Sequence, residues 1–86
     1  MARRTGPEDD AWNEYAGEIA TNLRRLRHEA GLIQEDVAYR SGLTPYTYQK
    51  YEKGESKPGT PANPTIRSLL AMSQALGVSL MDILRS

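Results

Sequence analysis

Residues 34–54, QEDVAYRSGLTPYTYQKYEKG, constrain the fold of this chain more than any other stretch. They read as two short helices joined by a tight turn. Val37 and Ala38 supply the inward face of the first helix, and Ser41-Gly42 breaks it, because Gly42 can take positive φ without a Cβ penalty. Leu43 points back to the core. Thr44 is a good N-cap, and Pro45 suits the first helical position, where a missing N–H costs nothing. Tyr48 and Tyr51 fall three apart on one face, and Glu52-Lys53-Gly54 closes the element. A helix of only about seven residues barely survives alone in water, so its neighbours must hold it. Polar, basic and aromatic side chains on its outer face suit presentation, and the major groove of DNA is the surface such a helix fits.

Eighty-six residues permit one small domain with little core to spare. Phe is absent, the aromatics are five Tyr and Trp12, and the apolar residues recur at helical spacing, which argues for an all-α bundle. With no cysteine the chain has no disulfide, no thiolate metal site and no cysteine nucleophile, as suits a reducing cytoplasm. No apolar run approaches membrane-spanning length, and no signal-peptide core follows the N-terminus, so a soluble, cytoplasmic protein without membrane contact is expected. The chain has one histidine, His28, on a polar stretch, and neither a paired-carboxylate arrangement nor a phosphate-cradling glycine loop. No enzyme activity, catalytic residue, metal or cofactor is therefore expected. The zero net charge hides an asymmetry: residues 7–18 hold Glu8, Asp9, Asp10, Glu14 and Glu18 and no base, whereas from residue 19 onward nine Lys and Arg face six Asp and Glu. A local basic face is compatible with phosphate contact.

The pattern Gly31-Leu32, Gln34, Val37-Ala38, Gly42-Leu43, Thr47, Tyr51-Glu52 and Lys53-Gly54 resembles the helix-turn-helix of the phage-repressor or Cro-type family, also called the XRE family. The likeness continues in Leu23, Leu26 and Arg27 before it. After it come Asn63-Pro64-Thr65-Ile66 and Leu76-Gly77-Val78-Ser79-Leu80, so the resemblance spans residues 19–85. It implies a five-helix repressor-like bundle with the helix-turn-helix in helices 2 and 3.

Measured against that family, residues 1–18 form an N-terminal extension, partly helical, and residues 19–86 the DNA-binding domain. MARRTG is expected to be a frayed end. Trp12, Tyr15, Ile19, Leu23, Leu26 and Ala30 keep helical spacing, so one helix should run from about residue 8 to 29, weakened by Gly17 at a cost of about 1 kcal/mol. Residues 54–64, GESKPGTPANP, hold three prolines and two glycines and should form a long loop between helices 3 and 4, extended relative to the family. A fourth helix is expected from Pro64 or Thr65 to Leu76, with Ile66, Leu69, Leu70, Ser73 and Leu76 inward. Ser79 should cap a short fifth helix that buries Leu80, Ile83 or Leu84.

The resemblance assigns base reading to Thr44, Pro45, Tyr46, Gln49 and Lys50, with Tyr48 and Tyr51 turned inward as core. Lys50 can donate to guanine and Gln49 can pair with adenine, while Tyr46 can pack on a thymine methyl or donate to a phosphate. Pro45 offers apolar contact only and departs from the polar residue common in relatives. Gln34, Lys53 and Lys57 are the phosphate candidates, with Arg40 either a further one or a solvent-side residue of the first motif helix. Arg27 and Glu52 match a pair that in relatives fixes the angle of the recognition helix, a structural ion pair. The expected function is a sequence-specific transcriptional regulator binding double-stranded DNA as a homodimer on a two-fold operator. Its dimer surface is expected on the fifth helix and the end of the fourth, where Met72, Met81 and Ile83 exceed the needs of the core. The alternative surface is the acidic, aromatic stretch around Trp12 and Tyr15. The alternative function is an antitoxin or accessory subunit whose partner protein docks on the acidic N-terminal helix.

Overall fold

The computed structural model describes residues 7–85, with side chains from residue 10 onward; the MARRTG end lies outside the described residues. Among the described residues five helices follow in order: α1 (Pro7–Glu29), α2 (Gln34–Arg40), α3 (Pro45–Lys53), α4 (Ile66–Leu76) and α5 (Leu80–Leu84). Each contributes one large, fully buried side chain to a common core: Leu23, Val37, Tyr48, Met72 and Ile83. Ile19, Leu26, Ala38, Leu69 and Leu76 complete the cluster.

At 23 residues α1 is the longest element and extends about 35 Å at the usual helical rise. It runs without a break through Gly17 and past residue 18. Its buried stripe is Ala16, Ile19, Ala20, Leu23 and Leu26; Trp12 and Tyr15 lie on the exposed side, and Ala30 is exposed beyond the helix end. The buried Asn22 amide donates to the carbonyls of Ile83 (2.8 Å) and Arg85 (2.6 Å), tying the short C-terminal helix to the middle of α1. Ser79 caps α5, as the sequence anticipates, and Thr65 caps α4, each accepting from the backbone N–H three residues on.

Three expectations need correction. First, Ile66 and Leu70 are not inward: they are 74% and 47% exposed. The buried stripe of α4 is Leu69, Met72, Ser73 and Leu76, and Leu70 sits one residue, about 100°, away from it. Second, Met72 and Ile83 are not spare surface residues but fully buried core, which leaves Met81 as the exposed member of that trio. Third, residues 54–64 are not a plain loop. They form an antiparallel hairpin of β1 (Glu55–Lys57) and β2 (Thr60–Pro61), turning through Pro58-Gly59, with a register irregularity between Glu55 and Lys57. The bond from Ala62 N–H to the Gly54 carbonyl (2.9 Å) closes its base.

Candidate nucleic-acid interface

The turn between α2 and α3 is built as the residue types require. Gly42 has φ 71°, and the N–H groups of Gly42 and Leu43 bond back to Tyr39 (3.1 Å) and Ala38 (2.9 Å), satisfying carbonyls at the end of α2. Thr44 Oγ1 accepts from Thr47 N–H at 3.1 Å, and Pro45 occupies the first turn of α3. Tyr48 is fully buried and Tyr51 half-buried against the core, so both are anchors.

With those two tyrosines inward, α3 exposes Thr44, Pro45, Tyr46 and Gln49, with Lys50 half-buried among them. Tyr46 is 68% exposed, and the Lys50 ammonium lies 4.9 Å from the centroid of its ring. That cation–π contact joins residues one helical turn apart and presents aromatic edge and cation as one unit. The Thr44 hydroxyl also donates to Thr47 Oγ1 at 3.0 Å, so its capping role is satisfied within the helix end.

The carboxylate of Glu52, 3% exposed, is where α1, α2 and α3 meet. Arg27 Nε donates to it at 2.5 Å and Arg27 Nη2 at 3.2 Å, a two-pronged pairing that ties α1 to α3. Tyr48 Oη donates at 2.7 Å and Gln34 Nε2 at 2.9 Å, which brings α2 into the same knot. Arg27 also donates to the Leu32 carbonyl at 3.0 Å. Burial alone would push the Glu52 carboxyl up, but the bonds from Arg27, Tyr48 and Gln34 outweigh it and hold the group below its ordinary range. The bond to Glu52 raises the Arg27 guanidinium, while burial and the neighbouring carboxylate push the Tyr48 phenol far above its usual value. The expected Arg27–Glu52 pair is thus brought together, in a larger network than the sequence suggests.

Two concavities flank the exposed face and share Gln49 and Lys53. On the side of α1 and α2, a niche of about 310 Å³ is lined by Arg24, Gln34, Gln49, Glu52 and Lys53. Arg24, absent from the residues expected at the site, donates through Nη1 to the Glu52 carbonyl at the C-terminal end of α3, where a cation complements the helix dipole. Its only sequence signal is its place one turn before Arg27 on a helix segment already rich in bases. On the other side, a groove of about 300 Å³ runs between α3 and the hairpin, bringing Lys50, Lys53 and Lys57 together with Tyr46 and Ser56. Gln34 has part of its amide committed to Glu52. Arg40 is exposed at the end of α2.

Two short helices joined by a tight glycine turn, the second with an exposed polar face and nearby cations, have the arrangement of a helix-turn-helix. A family model described as a helix-turn-helix domain matches residues 18–84. The chain is also 38% identical over 65 residues, 76% of its length and 77% of the relative's, to a protein of Sinorhizobium fredii called uncharacterized HTH-type transcriptional regulator y4dJ. The chain therefore belongs to the helix-turn-helix family of DNA-binding regulators, in keeping with its phage-repressor-like pattern. No solved structure gives a significant match. Among the described residues, no helix is long and apolar enough to cross a membrane.

Proposed function

We propose that this chain is a sequence-specific transcriptional regulator that binds a two-fold DNA operator as a homodimer in the cytoplasm. The observation that carries this reading is the locked presentation of α3: its polar face is exposed while Glu52, at its far end, is pinned to α1 and α2. In this reading Gln49 and the coupled Tyr46–Lys50 unit meet base edges in the major groove, with Thr44 and Pro45 packing at the groove wall. Gln34 and Lys53 grip phosphates from the niche and Lys57 from the hairpin, and Arg24 joins them as a cation of the niche. One short helix reads too few base pairs for genomic selectivity, and a second copy doubles the site.

The dimer surface that the exposures favour is the outer side of α4 and α5, where Ile66, Leu70 and Met81 are exposed apolar residues. Leu70→Lys with Met81→Lys should leave the fold intact and yield a monomer by light scattering. Unchanged dimerisation would exclude that surface.

The alternative, an accessory subunit or antitoxin held by a partner protein, draws on Trp12 and Tyr15, 36% and 54% exposed on an acidic helix. Trp12→Ser with Tyr15→Ser should leave operator binding intact under the first reading and abolish partner capture under the second. Selection of bound sites from a random DNA library tests the main proposal. A two-fold repeat with half-sites about 34 Å apart is expected. Absence of any enriched sequence would refute it.

A further inference from the structure

The ammonium of Lys50 lies 4.9 Å from the centroid of the Tyr46 ring, while Tyr46 itself is 68% exposed. The contact has two consequences. It orders an aromatic ring that would otherwise turn freely on the outer face of α3, which lowers the entropy cost of using that ring as a contact surface. It also leaves donors available, because a ring face engages only part of a group with three N–H bonds. Both side chains border the same concavity as Gln49, so one edge of a nucleic acid reaches them together. Their spacing decides what each addresses. Successive bases of one strand are separated by a rise of about 3.4 Å. A cation and a ring centre 4.9 Å apart match two adjacent bases better than one base edge.

The cation selects one base. In the major groove guanine offers two acceptors, O6 and N7, whereas adenine and cytosine place an amino donor there that an ammonium cannot use. The ring selects the neighbour. A pyrimidine on the 5′ side of a guanine carries its C5 position beside the N7–O6 edge, and that position holds a methyl group in thymine and in 5-methylcytosine. Cytosine and uracil hold only hydrogen there. We infer that the Tyr46–Lys50 pair reads a dinucleotide step, a guanine preceded by a C5-methylated pyrimidine, so that methylation of a cytosine at that step tightens binding. This deepens the DNA-binding reading and rests on it. Specificity then lies in the coupling of two side chains rather than in either alone, and the chain responds to a covalent mark on DNA. Burying one methyl against the ordered ring should strengthen binding about fourfold per half-site.

The test uses the full chain, its DNA site selected from a random library, and synthetic duplexes that differ from that site at one base. Lys50→Ala first locates the guanine, as the position where preference relaxes. The base on its 5′ side is then made thymine, uracil, cytosine or 5-methylcytosine, and the four duplexes compete for the protein. Thymine should exceed uracil, and 5-methylcytosine should exceed cytosine, by about fourfold each. The first ratio isolates the thymine methyl and the second the cytosine mark, so the two sources are read separately. Tyr46→Ala should bring both ratios to one and keep the preference for guanine. Tyr46→Phe, which keeps the ring, should keep both ratios whatever its overall affinity. Equal binding of the four duplexes by the wild type overturns the inference, as do ratios that survive Tyr46→Ala or a selected site with no guanine answering to Lys50. If Gln49→Ala still shifts base preference in any of those cases, the α3 reading survives. Failure to select any site removes both.

Discussion

Replacing Glu52 by Ala should be strongly destabilising, because that charged side chain is almost wholly hidden from solvent and fully bonded. The carboxylate receives two bonds from Arg27, one from Tyr48 and one from Gln34. Its removal leaves the Arg27 guanidinium, whose side chain is 12% exposed, without its counter-charge, and leaves a fully buried Tyr48 hydroxyl without an acceptor. Breaking a buried pair from one side costs about 3–5 kcal/mol, and an orphaned buried hydroxyl adds about 1–3 kcal/mol. Relaxation of Arg27 toward water and toward the Leu32 carbonyl it already holds takes part of this back, so about 3–5 kcal/mol is expected in total. In a domain of this size each kcal/mol moves the melting temperature by roughly 4–8 °C, which puts the expected drop above about 12 °C.

A thermal melt followed by far-UV circular dichroism measures it. Arg27→Ala should cost slightly less, about 3 kcal/mol, because Tyr48 and Gln34 still donate to the carboxylate left behind. The double variant Arg27→Ala with Glu52→Ala should cost less than the two single changes added together, since neither charge is then stranded. A melting temperature within about 4 °C of wild type for Glu52→Ala would refute the reasoning, as would strict additivity in the cycle. The same group sets an acid limit. Its carboxyl is held below its ordinary value in the folded chain, so the unfolded chain binds the proton more readily and stability rises with pH. The contribution is complete above the ordinary carboxylate range, about pH 4.3, and is lost as pH falls through the lower folded value. Glu52→Gln should remove that part of the acid sensitivity.

Lys50→Ala should relax preference at one position of a selected site by about 1–3 kcal/mol, read by competition among single-base variants; uniform weakening across all of them would reassign Lys50 to the phosphates. Gly17→Ala should stabilise the fold by about 0.5–1 kcal/mol, because a Cβ there meets nothing within 4 Å and the change removes a helix-interior glycine; a lower melting temperature would contradict it. Met72→Ala should cost about 2–5 kcal/mol by chemical denaturation, whereas a surface methionine would cost almost nothing.

The parts of this structure that can be read from the sequence are those where one residue type solves one local problem. Gly42 at positive φ, Thr44 capping and Pro45 in the first turn follow from chemistry confined to a few neighbouring residues, whereas the inward side of Tyr48 comes from the family resemblance. The departures cluster where geometry is decided between elements. Ile66 and Leu70 are apolar and adjacent to a true core stripe, and only the direction from which neighbouring helices approach α4 decides that Met72 is covered and Leu70 is not. The hairpin is hidden in the sequence for a related reason. Its strands are three and two residues long, too short for an alternating pattern, and Pro58-Gly59 marks a turn without saying what pairs on either side. Its pairing is closed by the bond from Ala62 N–H to the Gly54 carbonyl, and Gly54 itself lies against Ala16 and Ala20, which come from a distant part of the chain. Arg24 is illegible likewise, because a base on a helix face gains a specific role only once the end of α3 is laid against it. The pair Arg27–Glu52, also far apart in sequence, is legible only through the family pattern. Periodicity therefore reports which face of a helix is buried, and the partner across the interface must come from packing or from kinship.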